Sequence, residues 1–298
     1  MSRHCFRRKV KAAARTILLL ALAAAIPTVL GAASKKGTNQ GKGGTHGGGG
    51  GQNTSSAWQE DFNDAQLDNS FWVIASGQAP GYISGTHIGY YDPAHVQIVS
   101  DDTGSYLRLE LTQTYGTVDS NPDGVISDGA MIYTKNKYLY GTFEWKMRMS
   151  STSTAPAGDG DSVSGSVSAG FVYVNNSQTE IDFEFTASHP ETLYMVNWLN
   201  PHPRRDPTSA NETYDFIDLP SVSTAFHDYK FVWQPGEIDF YVDNEFQFAH
   251  TTNVPSTAAY FMINHWGTDS SIYGWGGPAA VDTTRYFYVD SVKYTPLP

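Results

Sequence analysis

The chain is almost devoid of cysteine. Cys5 is its single one, among 298 residues, so the body can hold no disulfide and no thiolate zinc site. Acidic residues are missing from the first 57 positions, which carry nine bases: Arg3, Arg7, Arg8, Lys9, Lys11, Arg15, Lys35, Lys36 and Lys42. The remaining 241 residues hold 10 bases against 30 acids, a net charge of −20. A body so poor in cations repels nucleic acid and sulfated polymers, which excludes a DNA or RNA partner. Long apolar runs are also scarce. The one candidate, Ile17 to Leu30, spans about 14 residues, short of the ~20 that cross a bilayer as a helix. No window of a dozen residues keeps a helical period with caps. Charged residues make up only 16% of the chain while aromatics reach 13%, a balance that suits a β protein with many rings to place.

Basic residues from Arg3 to Arg15, the apolar stretch, and small residues at Gly31-Ala32-Ala33 follow the order of a secretory signal peptide, assigned to residues 1–33. A short membrane anchor is the alternative. Residues 34–57 are rich in glycine and nearly free of apolar side chains, and read as a flexible linker. The expected product is secreted to the extracellular space or periplasm, monomeric, and free of membrane contact after cleavage. Residues 58–298 form one expected domain.

That body reads as a succession of short strands. Segments 106–111, 141–149, 179–185, 228–233, 238–243 and 286–294 alternate apolar and polar residues, and turns are expected at Asn121-Pro122-Asp123-Gly124, Gln234-Pro235-Gly236 and Asp243-Asn244. Many short alternating strands with turn punctuation predict an all-β sandwich or barrel.

The segment with chemistry is Glu180-Ile181-Asp182-Phe183-Glu184-Phe185. In a strand, Ile181, Phe183 and Phe185 face the core while Glu180, Asp182 and Glu184 line the other face. The outer glutamates then have Cα atoms roughly 13 Å apart. Side chains leaning inward on a concave sheet can bring the carboxyls to about 5–5.5 Å, the separation of a retaining glycosidase. Three carboxylates on one face repel one another, and repulsion raises the pKa of a group that must act as an acid. The related run Glu237-Ile238-Asp239-Phe240 continues with Tyr241 and a hairpin turn, and is read as structural. Spacing alone leaves the order of the two glutamates open.

EIDFEF, with YGTFEWKMRM upstream and FHDYKFVWQPGEIDFYVDNE downstream, resembles glycoside hydrolase family 16. WQEDFNDAQLDNSFW is similar to that family's opening strand, and VPSTAAYFMINHWG and YFYVDSVKY to its closing strands. The unbulged E-x-D-x-E strand is closest to the lichenases and xyloglucan transglycosylases. The resemblance implies a concanavalin-like jelly-roll sandwich whose concave sheet forms the cleft. It implies Glu180 as nucleophile, Glu184 as acid/base and Asp182 as the helper between them.

The same resemblance places Glu144, Asn197, Trp198, Trp266 and Trp275 among substrate-binding residues, with Lys146 where lichenases commonly carry Arg. Gln178 stands where they commonly carry Trp, and both departures bear on lichenase specificity. Trp233 reads as core. Arg204 and Arg205, in the loop PHPRRDP, read as solvated. No cofactor is implied for the chemistry, and a structural calcium is implied with Asp290 as its carboxylate ligand. The expected activity is a retaining endo-β-glucanase on a neutral β-1,3-1,4- or β-1,3-glucan. A transglycosylase using the same residues and a non-catalytic glucan-binding module are the alternatives.

Overall fold

A computed structural model describes residues 56–174, 178–199, 211–270 and 274–298. The signal peptide, almost all of the linker, and the PHPRRDP loop with Arg204 and Arg205 lie outside the described residues. Among the described residues there is no α-helix; the one helical piece is a 3-10 turn at Pro93–His95.

Of the seventeen strands among the described residues, fifteen pack as two antiparallel layers. The outer sheet holds β1 (Trp58–Glu60), β5 (Val96–Asp101), β6 (Gly104–Val118), β8 (Gly141–Ser151), β13 (His227–Gln234), β14 (Glu237–Val242), β15 (Glu245–His250) and β17 (Arg285–Thr295). Their order is β5-β6-β17-β8-β13-β14-β15, with β1 also on β17. The second sheet runs β2 (Trp72–Ile74), β7 (Asn121–Tyr138), β16 (Ala259–Gly267), β9 (Ser166–Val174), β10 (Thr179–Thr186), β11 (Thr192–Leu199) and β12 (Glu212–Asp218). β3 (Gly77–Gln78) and β4 (His87–Tyr91) extend the far end of the β6–β7 hairpin, β4 pairing in parallel with β7. This is the expected sandwich rather than a barrel.

Period-2 alternation decides what lies between the layers. From the second sheet, Val172, Ile181, Phe183, Phe185, Met195, Phe261 and Ile263 join one buried cluster with Phe143, Trp145, Met147, Phe231 and Phe240 of the outer sheet. Trp145 stacks on Phe261 at 4.3 Å and meets Phe183 edge-on at 6.3 Å, so one indole ties the two sheets together. Each such ring contributes about 1.5–3 kcal/mol by its burial. The close approach requires Gly170 on β9. A Cβ there would stand 2.8 Å from Trp145 Cδ1 and 2.7 Å from Met147 Cε. Trp233 is buried as expected, its indole N–H donating to Pro255 O at 3.0 Å.

The six predicted strands are all present. One predicted turn is displaced: Asn121-Pro122-Asp123-Gly124 opens strand β7, and the chain reverses just before it, where Asp119 adopts φ 53°. The Asp243-Asn244 turn is a two-residue hairpin with φ of 51° and 63°, both in the left-handed region a type I′ turn needs. It terminates the Glu237–Phe240 segment on the outer sheet, where Ile238 and Phe240 enter the core, in keeping with a structural role.

Candidate active site

Strand β10 runs through the second sheet between β9 and β11. Its odd-numbered residues are in the core, so Glu180, Asp182 and Glu184 face away from the outer sheet, onto the concave side. Register fixes their neighbours there. Glu180 lies between Tyr173 and Trp198, Asp182 between Phe171 and Val196, and Glu184 between Ala169 and Tyr194. A second buried cluster covers this face, including Phe171, Tyr173, Tyr194, Val196, Met262, Trp266 and Trp275. The carboxylates form the floor of an aromatic-walled site: Glu180 is 0% exposed, Asp182 1% and Glu184 7%.

Such burial has an electrostatic cost that shows in the protonation of the group. Loss of solvent, followed by the neighbouring charges of Glu180, Glu184 and Glu212, raises Asp182 well above the usual carboxylate range. Burial, then Glu180 and Glu212, does the same to Glu184. Asp182 Oδ1 and Glu184 Oε1 are buried and accept no hydrogen bond. The Tyr194 hydroxyl is pushed up to about 12 by burial and by Glu184. Below that value Tyr194 stays a neutral donor. The arrangement shifts Glu184 toward its protonated form, the form a general acid needs.

The structure brings only part of the sequence-derived set to this face. Trp198, half-buried and in register with Glu180, belongs to it. Trp266 and Trp275 are on the same side but 3% and 5% exposed; Trp275 packs on Tyr194 at 5.0 Å and 66°. Both serve here more as walls of the aromatic cluster than as open platforms.

Asn197 is a correction. It pairs with Ile181, so its side chain points into the sandwich, where it is fully buried. Its Nδ2 donates to Thr252 O at 3.2 Å and Asn253 O at 2.7 Å, and Oδ1 lies 2.7 Å from His250 Nδ1. One residue of register separates it from the cleft face.

Glu144 and Lys146 are corrections as well. They sit on β8 of the outer sheet, with Phe143, Trp145 and Met147 turned inward. Their side chains therefore project from the opposite surface of the molecule. Glu144 pairs with Lys293 at 3.0 Å and Lys146 with Asp290 at 3.2 Å. Asp290, the expected calcium carboxylate, thus has a lysine ammonium beside it, and no group of three His, Cys, Asp or Glu that could hold a metal occurs among the described residues.

One acidic residue escaped the sequence reading. Glu212 on β12 is in register with Trp198, and so continues the row from Glu180 across the cleft face. Burial pushes its carboxyl up to about 7. The signal was the alternation Glu212, Tyr214, Phe216 in NETYDF, which lies too near the uncharacteristic PHPRRDP loop to be read as a strand.

The family description "Glycosyl hydrolases family 16" matches residues 89–285, well over half of the chain and including every carboxylate of the site. The chain belongs to glycoside hydrolase family 16. Among curated family relatives, the beta-glucanase of Paenibacillus polymyxa is 34% identical over 119 residues, 39% of this chain and 45% of that protein. The beta-glucanase of Acetivibrio thermocellus is 33% identical over 125 residues, 41% of this chain and 34% of that protein. The matched segment thus spans less than half of these relatives. A solved Bacillus licheniformis beta-glucanase shares the family fold at TM-score 0.61 and 22% identity, covering 82% of this chain and all of that one. The laminarinase catalytic domain of Thermotoga maritima does so at 0.60 and 18%, covering 81% and 98%.

Proposed function

We propose that this family 16 protein is a retaining endo-β-glucanase that hydrolyses a neutral β-1,3-1,4- or β-1,3-glucan. The observation that carries the proposal is the row Glu180, Asp182, Glu184 on the concave face of a buried strand; burial raises the Glu184 carboxyl in the direction an acid needs. In the first step the Glu180 carboxylate attacks the anomeric carbon. The bond to the leaving oxygen breaks as Glu184 gives that oxygen its proton, and a glycosyl-enzyme ester forms on Glu180. In the second step water attacks the same carbon, Glu184 takes the water's proton, and the ester bond to Glu180 breaks. Asp182, between them, is the helper whose protonation is tied to both.

The substrate class follows from charge and from the relatives. A body at −20 disfavours sulfated glycans, and the similar proteins named above are beta-glucanases and a laminarinase. Trp198, beside the nucleophile, offers a ring for the apolar face of a pyranose. No cofactor takes part in these steps. Residues 1–33 support export, checked by sequencing the N-terminus of the protein recovered from culture medium.

The test is a digestion panel of barley mixed-linkage glucan, laminarin, xyloglucan and agarose. Wild type should release oligosaccharides from at least one of the first two. Glu180→Gln and Glu184→Gln should each lose several orders of magnitude in rate while melting like wild type. Near-normal rates in either variant would overturn the assignment, and products longer than the substrate would mark transfer rather than hydrolysis.

A further inference from the structure

We propose that Gln113 is a positioning residue for this reaction, a buried amide that clamps the loop between β16 and β17 and so sets Trp275 against Tyr194 beside Glu184. The inference rests on the glycosidase reading above. After Gly267 the chain leaves the second sheet, and it rejoins the outer sheet at Arg285; the described limbs of the loop are 268–270 and 274–284. Trp275 is on the second limb, 5% exposed, and its ring meets that of Tyr194 at 5.0 Å. Tyr194 is the register partner of Glu184. The placement of the loop therefore sets one wall of the site at the general acid.

Gln113 continues the inward row Leu107, Leu109, Leu111 of β6 past the apolar core, where it is 1% exposed. Both ends of its amide are used twice. Nε2 donates to Thr268 O at 3.0 Å and to Ser127 Oγ at 2.9 Å. Oε1 accepts from Ala280 N at 3.0 Å and from the Arg285 guanidinium at 2.6 Å. The backbone carbonyl of Gln113 accepts from Asp282 N at 3.0 Å. One residue thus holds the first residue of the loop and two near its end. Trp275 is tied to that frame through its own backbone, since Ser270 Oγ donates to Trp275 O at 2.7 Å and Gly165 N to Gly276 O at 2.6 Å. A Cβ on Gly276 would stand 2.0 Å from Thr268 Cγ2, so the limb after Trp275 packs directly on the clamped Thr268.

The clamp is a costly way to stabilise a fold. Arg285 is fully buried, with one terminal nitrogen donating to Ala280 O at 2.8 Å and the other to Gln113 Oε1. Both acceptors are neutral, and Arg285 Nε is buried without a hydrogen-bond partner. A buried cation held by neutral groups costs stability that an apolar side chain would not. Such a cost fits a pair of residues kept for where they hold the loop.

The experiment is a double-mutant cycle on the best polysaccharide of the panel, with kcat and KM measured well below each melting temperature for wild type, Gln113→Leu, Trp275→Ala and the pair. Gln113→Leu removes all four amide contacts and should lower kcat/KM about tenfold or more, chiefly by raising KM. A merely unstable protein loses kcat as its folded fraction falls and keeps its KM. Trp275→Ala should lower kcat/KM at least as much, and the pair should fall no more than about threefold below Trp275→Ala, because the clamp acts through that ring. If Gln113→Leu fails to fold, Gln113→Asn takes its place, since the shorter amide cannot reach both feet of the loop, and it should show the same coupling to Trp275→Ala. A wild-type KM in the Gln113 variant or in Trp275→Ala, or losses that multiply in the pair, overturns the positioning role while Glu184→Gln is inactive. Full activity in Glu184→Gln instead overturns the glycosidase assignment on which it rests.

Discussion

Asn197→Ala separates two accounts of one residue. A cleft asparagine would bind sugar, whereas the structure makes Asn197 a buried brace beneath the catalytic strand. Its amide donates to the carbonyls of Thr252 and Asn253, and its oxygen accepts from His250 Nδ1. Truncation removes three hydrogen bonds, one buried and two partly buried, each worth about 1 kcal/mol. Thr252 O keeps a second donor, the Thr213 hydroxyl at 2.9 Å, so its loss is the mildest. Asn253 O and the His250 ring nitrogen lose their partners within the sandwich. The expected destabilisation is ~3 kcal/mol, which for a domain of this size lowers Tm by roughly 6–12 °C. Thermal unfolding by circular dichroism gives the shift, and kcat/KM measured well below the melt should stay within about threefold of wild type. An unchanged Tm together with a much raised KM would refute the buried placement.

Three further outcomes follow from the same geometry. Glu144→Gln and Lys146→Ala should leave kcat/KM near wild type, because both residues sit on the outer sheet in ion pairs with Lys293 and Asp290; a hundredfold loss in steady-state assays would return them to the cleft. Asp182, Glu184 and Glu212 have carboxyls raised above their unfolded values, so through them the folded state binds extra protons, whereas His87, His189 and His265 are held below their ordinary value and oppose this below about pH 6.5; from about pH 7 to 8, where those histidines are neutral in both states, stability should fall as pH rises. Tm across that range should drop in wild type and drop less in Asp182→Asn, and a rise in Tm toward pH 8 contradicts the sign. A chain starting near Ser56 should match the full chain in Tm and activity, since residues 34–57 have almost no apolar surface to bury against the sandwich; a large fall in Tm on truncation contradicts this.

Alternation made the catalytic strand legible. Ile181, Phe183 and Phe185 could only be a buried face, and that placed the three acids on the other. The same rule, applied to single residues remote from the strand, was not enough. Glu144 alternates as cleanly as Glu180, but which of two sheets a strand joins depends on long-range pairing, and β8 pairs with β13 and β17. Asn197 differs from Trp198 by one step of register, and only the pairing of Ile181 with Asn197 says which of them faces the sugar side. Strand β9, nine residues and wholly buried, has no polar alternation to reveal it. Its Ser166 and Ser168 find buried partners, Ser150 Oγ and Ser150 N, that no local pattern encodes. Glu212 was hidden for a related reason, since its place on the cleft face follows only from three strands being adjacent.

The most direct measurement of the central claim is the anomeric configuration of the first product, followed by proton NMR in the opening minutes of hydrolysis. The proposal makes two carboxylates on one face of one strand the nucleophile and the acid/base, so the configuration at the cleaved carbon should be kept, and the β-anomer should appear first and then mutarotate. Initial release of the α-anomer from a β-glucan would contradict the covalent role assigned to Glu180.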